Sequence, residues 1–228
     1  MLCDSGTTEG YITFSSPSSF SVSVSNSTKN WDGTIEYSTD ELHWTVWDGS
    51  SAISAALVDG EYCLYLRGAN NTVISGGGAS DAVAKTKSWV ISGSNVSMSG
   101  VIEDLRDYTK GSSSMGASCY EYLFYNNSSI LNSVTLPVSN LTSKCYKGMF
   151  QDCTNLVSAP FLNAQSLADD CYNAMFQGCT SLVTAPPLSA TTLTSQCYMY
   201  MFKGCTQLEN APMMPATTLA NSCYAYMF

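Results

Sequence analysis

One interval governs this chain. The pair Cys-Tyr stands at Cys119-Tyr120, Cys145-Tyr146, Cys171-Tyr172, Cys197-Tyr198 and Cys223-Tyr224, each 26 residues after the last. Other positions keep the same beat. Phe124, Phe150, Phe176, Phe202 and Phe228 align, as do Ile130, Leu156, Leu182 and Leu208. So do Leu136, Leu162, Leu188 and Met214, and then Leu141, Leu167, Leu193 and Leu219. A fixed period of this length marks an array of coils. One coil cannot bury its apolar face alone, but a stack of coils can.

Within each unit, Ser143, Asp169, Ser195 and Asn221 stand two residues before Cys-Tyr. Each can cap a helix by accepting a bond from a free helical N–H. The Cys-Tyr-x-x-Met-Phe run then puts apolar residues at i, i+1, i+4 and i+5, a spacing that predicts a short helix. Asp152, Gly178 and Gly204 suit the turn that ends it. The following Thr-x-Leu-x-x-Ala-Pro run reads as extended, because Pro160, Pro186 and Pro212 forbid helix. The expected fold class is therefore mixed α/β: a small N-terminal β-sandwich, then a leucine-rich-repeat solenoid of 26-residue coils, each a short strand, a turn and a short helix.

Cysteine suits such an array because it is small and apolar enough to stack at an interior position. Cys145 and Cys153 lie eight apart, as do Cys171 and Cys179, and Cys197 and Cys205. On one helix that spacing is about 12 Å, too far for a disulfide. Three readings stand open: buried free thiols, disulfides between neighbouring coils, and a metal site. The metal reading lacks the accompanying His and the C-x-x-C spacing that such sites use.

The segments "MFQGCTSL" and "MFKGCTQL" resemble the AF-x-G-C-x-x-L core of the BspA-like leucine-rich repeats, found on surface proteins of anaerobic and gut bacteria and in some protists. The resemblance covers residues 119–228. The usual unit of that family is a few residues shorter and often has Ile-Pro where this chain has Ala-Pro. The resemblance implies adhesion or host contact and brings no catalytic residue with it.

The first half has a different character. All four tryptophans precede residue 110, and six of the seven prolines follow it. "YITF", "FSVSVSN", "TIEYSTD", "WTVWDG", "CLYLRG" and "SWVISG" are short alternating runs divided by turn residues, which predicts a small sandwich or barrel. Asp40 and Glu41 begin a hairpin turn in "YSTDELHW", which partly resembles the sialidase Asp-box but lacks its glycine. An Asp-box is a turn device, not a catalytic site. The wider pattern resembles modules of gut bacterial surface proteins and phage tail-associated proteins. In "VIEDLRDYTKG", Val101, Leu105 and Tyr108 share a helical face, and a capping helix on the first coil is expected. The expected layout is a flexible N-terminus over 1–10, a β-sandwich-like domain over 11–98, a capping helix or linker over 99–118 and the repeats over 119–228, truncated at the C-terminal end.

Charged residues make up only 12% of the chain, and the net charge of −9 includes no basic cluster. That argues against nucleic acid and anionic membrane as partners. No apolar run approaches the length of a membrane span. Cys3 stands near the N-terminus without the upstream residues of a lipobox. Catalysis is hard to build: His43 is the only histidine, so no choice of Ser-His or Cys-His pair arises. Asp169 is already assigned to capping. Glu103, Asp104 and Asp107 read as a solvated helix face, and "SGGGAS" (Ser75 to Ser80) as a loop rather than a phosphate cradle.

The chain thus reads as a non-enzymatic adhesion protein of the bacterial cell surface, without cofactor or metal, binding a host protein or glycan. The alternative is a phage tail or receptor-binding accessory protein. The expected contact surface is the strand face of the coils, where residues vary from coil to coil: Val157, Ser158 and Phe161; Val183, Thr184 and Pro187; Glu209, Asn210 and Met213. Self-association through an uncapped C-terminal coil is expected as well.

Overall fold

The computed structural model describes residues 3, 10–111, 114–136 and 140–228. Of the expected flexible N-terminus only Cys3 and Gly10 fall among them. Cys3 forms a disulfide with Cys63, across a Cα separation of 6.0 Å.

The N-terminal half forms two antiparallel sheets. Its strands are β1 (Ile12–Ser16), β2 (Ser21–Val24), β3 (Thr34–Ser38), β4 (Thr45–Trp47), β5 (Ile53–Ser54), β6 (Ala56–Val58), β7 (Glu61–Ala69), β8 (Trp89–Ser92) and β9 (Ser97–Gly100). One sheet has the order β4-β3-β7-β1-β9, with β6 also paired to β7; the other runs β5-β2-β8. The alternation read in the sequence is the pleat itself: in β2, Val22 and Val24 are buried while the serines beside them are half-buried. Trp31, Trp47 and Trp89 pack together with ring centroids 5.1 to 6.2 Å apart. The β3–β4 turn is held by Asp40, whose Oδ1 accepts from the N–H groups of Leu42 and His43. Those bonds, led by the one from His43, hold the Asp40 carboxyl far below its usual range.

Two five-residue helices complete this half: α1 (Asp81–Lys85), capped by Ser80, and α2 (Glu103–Asp107). The second packs so tightly on β7 that a Cβ on Gly68 would meet the Leu105 carbonyl oxygen at 1.7 Å. Buried Asn71, just after β7, ties α2 to β3, donating to the carbonyls of Leu105 and Thr34.

The second half departs from expectation. The mixed α/β class, with leucine-rich-repeat coils of strand, turn and helix, is overturned: among the described residues beyond 107 there is no helix, and extended pairing is limited to isolated bridges. The described secondary structure is mostly antiparallel β, with the two helices above as its only helical elements.

The Cys-Tyr runs form a ribbon of consecutive turns. Odd-numbered N–H groups close local turns: Lys147 donates to Lys144 O, Met149 to Tyr146 O and Gln151 to Gly148 O. Even-numbered ones reach the next coil: Tyr146 donates to Cys171 O, Gly148 to Asn173 O and Phe150 to Met175 O. Every fourth residue is left-handed, as at Lys144 (φ 59°), Gly148 (57°) and Asp152 (62°). In the coil of residues 145–152 the inward pairs Cys145-Tyr146 and Met149-Phe150 alternate with Lys147-Gly148 and Gln151-Asp152. Ser143, Asp169, Ser195 and Asn221 therefore cap no helix. They join coils instead: Lys144 N–H donates to Asp169 O, and Ser195 N–H to the Asp169 carboxylate.

The coils stack at 26-residue offsets. Tyr120, Tyr146, Tyr172, Tyr198 and Tyr224 form one near-parallel column, with centroids 5.5 to 5.9 Å apart. Phe124 through Phe228 form a second. The β half is the base of the stack. Val96 bridges Ile130, Val101 bridges Thr135, and Trp89 N–H donates to Leu123 O at 2.7 Å. Phe124 lies against both Trp89 and Phe14, so one apolar core runs through both halves.

Candidate functional site

The nine residues expected on the strand face are all solvent-exposed, and they fall in three columns. Ser158 bridges Thr184, and Thr184 bridges Asn210. Beside them, Glu209 N–H donates to Val183 O, and Val157 N–H to Leu131 O. Phe161, Pro187 and Met213 form the third column by the same offset. The face is not a continuous sheet. Each coil contributes single bridges, because Pro160, Pro186 and Pro212 have no N–H to extend the ladder. The prolines also shape a shallow groove of about 220 Å³ between Phe161, Pro186 and Pro187. Phe161 is 72% exposed and Met213 83%, an unusual cost for large apolar side chains in water.

The repeat cysteines are away from this face, in the interior. Cys119, Cys145, Cys153, Cys171, Cys179, Cys197, Cys205 and Cys223 are free and buried. Burial pushes the Cys145 and Cys153 thiols up to about 12 and Cys205 to about 11. It raises Cys171, Cys179 and Cys197 as well. The second cysteine of each coil also makes a bond: Cys153, Cys179 and Cys205 donate to the carbonyls of Phe124, Phe150 and Phe176 at 3.0 to 3.1 Å. Cysteine at this position supplies a small apolar body and a donor to the coil below, which alanine would not. A thiol reagent is therefore expected to label these residues slowly in native protein and rapidly in denaturant. Mass spectrometry of the labelled chain reads this out, and fast native labelling of Cys145, Cys171 and Cys197 contradicts it.

Among the described residues, no group of three His, Cys, Asp or Glu side chains is placed to hold a metal ion. Nor is any helix among them long and apolar enough to cross a membrane. His43 is exposed and bonded only within its turn, to Asp40. "SGGGAS" docks on the first coil: Ser75 Oγ donates to Glu121 O, and Gly77 N–H to the Glu121 carboxylate. The acidic face of α2 is not solvated as expected. Asp104 and Asp107 are buried; Asp104 pairs with Lys110, and Asp107 Oδ1 accepts from Thr109 N–H. Both Glu103 oxygens are shielded and accept no hydrogen bond among the described residues, and burial pushes this carboxyl up to about 7. On the last coil, Tyr226 (68%) and Phe228 (58%) are exposed.

The opposite side of the stack, formed by the outward residues of the turn ribbons, was not singled out from the sequence. It carries a polar groove of about 320 Å³ between Tyr122 and Tyr200. The signal was present in the period: the position that holds Tyr122 holds Gly148, Ala174, Tyr200 and Tyr226 in the next coils. Compared with family models, curated proteins and solved structures, the chain has no significant match in any of the three.

Proposed function

We propose that the protein is a non-enzymatic binding protein of the bacterial cell surface that engages a host protein or glycan through the face carrying Phe161, Pro187 and Met213. The reading takes its class from the resemblance of the repeat motif to BspA-like units. It takes its surface from one observation: the residues that vary between coils are lined up in exposed columns, with large apolar side chains beside a groove. Exposed apolar residues next to a rim of polar ones are the usual make-up of a protein contact surface.

The test begins with the purified chain on an array of extracellular host proteins and glycans. For the strongest hit, Phe161→Asp and Met213→Asp are each expected to lower affinity about tenfold or more, the effect of losing an interface anchor of at least 1.4 kcal/mol. Both side chains are exposed, so the fold should be unaffected. Undiminished binding by both variants assigns the ligand to another face.

A further inference from the structure

We propose a second binding site, on the turn face, for a neutral oligosaccharide held in the groove between Tyr122 and Tyr200. It lies on a different surface from Phe161 and does not rest on the reading above.

The groove follows from one column of the repeat. Tyr122, Gly148, Ala174, Tyr200 and Tyr226 occupy the same left-handed position in five successive coils, with φ between 53° and 58°. Tyr200 at coil four rises beside the small Ala174 at coil three, while the buried Tyr122 ring at coil one lies over Gly148 at coil two and closes that end. Coils stacked by backbone hydrogen bonds repeat at roughly 4.8 Å, so the open trough, from the Tyr122 ring over Gly148 to Tyr200, is about two such steps long. Gly148 cannot be larger: a Cβ there would come within 2.1 Å of the Tyr122 ring, which leans over it.

Tyr200 supplies an aromatic platform. One face of its ring stacks on Tyr226, with centroids 5.2 Å apart and planes 10° off parallel. The other face is thereby turned along the stack toward Ala174. The Lys203 ammonium stands over the ring, 5.0 Å from its centroid, on an exposed side chain that a ligand stacking on this face displaces.

Side-chain amides line the trough. Gln151, Asn173, Gln177 and Gln196 all border it. Asn173 donates to Asp170 Oδ1 at 2.7 Å and is buried, so the half-buried Gln177 and Gln196 are the amides open to a ligand. The Gln177 and Gln196 amides make no hydrogen bond among the described residues. Each amide offers donors and an acceptor side by side. The cations are largely engaged: Lys147 pairs with Asp81 at 2.7 Å, and Lys85 lies over the Tyr122 and Tyr125 rings.

A ligand that fits must present an apolar face to Tyr200 and, along its edge, groups that both donate and accept. A pyranose ring has that form: C–H bonds on its face and hydroxyls around its rim. A purely apolar ligand would strand the amides without partners. A phosphorylated one would want unpaired cations, and Lys147 is already matched by Asp81.

The experiment uses the full chain on an array of defined neutral hexose and N-acetylhexosamine oligosaccharides, followed by calorimetry with the best binder. Tyr200→Ala and Gln177→Ala are each expected to weaken binding at least tenfold. Tyr200→Phe should retain most of it, and Phe161→Asp should leave it unchanged. Circular dichroism confirms that the variants fold. Absence of any neutral binder at millimolar concentration overturns the proposal, as does binding that survives Tyr200→Ala. Binding lost with Phe161→Asp but kept with Tyr200→Ala also overturns it, and credits the other face.

Discussion

Phe150→Ala is expected to destabilise the fold by about 3–5 kcal/mol, the range for removing a fully buried phenyl ring from a close-packed core. Phe150 has no exposed surface. Its ring lies 5.5 Å from Phe124 on one side and 6.0 Å from Phe176 on the other, at low interplanar angles. The loss therefore combines apolar transfer with a cavity in the middle of a column. Backbone bonds on both sides hold the coils at fixed spacing, so the neighbours have little freedom to collapse into the gap. Its carbonyl also accepts the Cys179 thiol, so any local shift disturbs a second coil contact. Phe161→Ala is the control: at 72% exposure it should cost well under 1 kcal/mol. Urea denaturation followed by tyrosine fluorescence and circular dichroism measures both. A loss below about 1 kcal/mol for Phe150→Ala would show that the ring column does not hold the coils together.

The second large effect depends on pH. Burial raises the Glu103 carboxyl from its ordinary 4.5 to about 7. Arg106 and Lys110 pull the other way without offsetting the loss of water, and Asp104 adds to the rise. In the folded chain the neutral acid is favoured, while in the unfolded chain the carboxyl ionises from about 4.5 upward. Between these two values the folded state binds more protons, so stability falls as pH rises, then levels off above about 7. At 1.36 kcal/mol per unit, the ceiling on this contribution is about 3 kcal/mol. Glu103→Gln keeps the shape and removes the ionisation. The variant and the wild type should be equally stable near pH 4, with the variant gaining as pH rises and leading by up to about 3 kcal/mol at pH 8. The difference between the two chains isolates this group from all other titrations. A difference that does not change with pH would show that Glu103 is solvated in the fold.

Much of the interior was legible because burial leaves a period in the sequence. The Cys, Tyr and Phe columns read from the 26-residue beat are the columns that stack, with Ile130, Leu156 and Leu182 buried beside them, while Met214 and Leu219 on the last coil are exposed. The strand segments were legible for the same reason: alternation such as Ser-Val-Ser-Val is what a half-buried pleat requires. The exposed columns at Val157, Ser158 and Phe161 could be placed because they are the positions the beat leaves free. Glu103 misled, because a charged residue in an amphipathic run is normally in water. Only the packing of α2 on β7 and on the first coil puts its carboxyl out of reach of solvent. The Tyr122–Tyr200 trough was missed because it depends on residues three repeats apart being brought to one surface by a column that also contains Gly148 and Ala174.

The clearest division lies in the Cys-Tyr-x-x-Met-Phe run. By itself the sequence determined the repeat length and most of the apolar residues that face inward. It could not determine the backbone. Apolar residues at i, i+1, i+4 and i+5 fit an α-helix of 3.6 residues per turn, and equally a ribbon with two residues in and two out. Lys144, Ala174, Gln196 and Tyr200 gave no warning that they would be left-handed, since such residues seldom are. The stack decided it. A helix would satisfy its N–H groups within the coil. In the ribbon, alternate N–H groups are free to reach the neighbouring coil, as Tyr146 reaches Cys171 and Phe150 reaches Met175. Coils so joined bury their rings face to face, and that gain exists only once a second coil is in place.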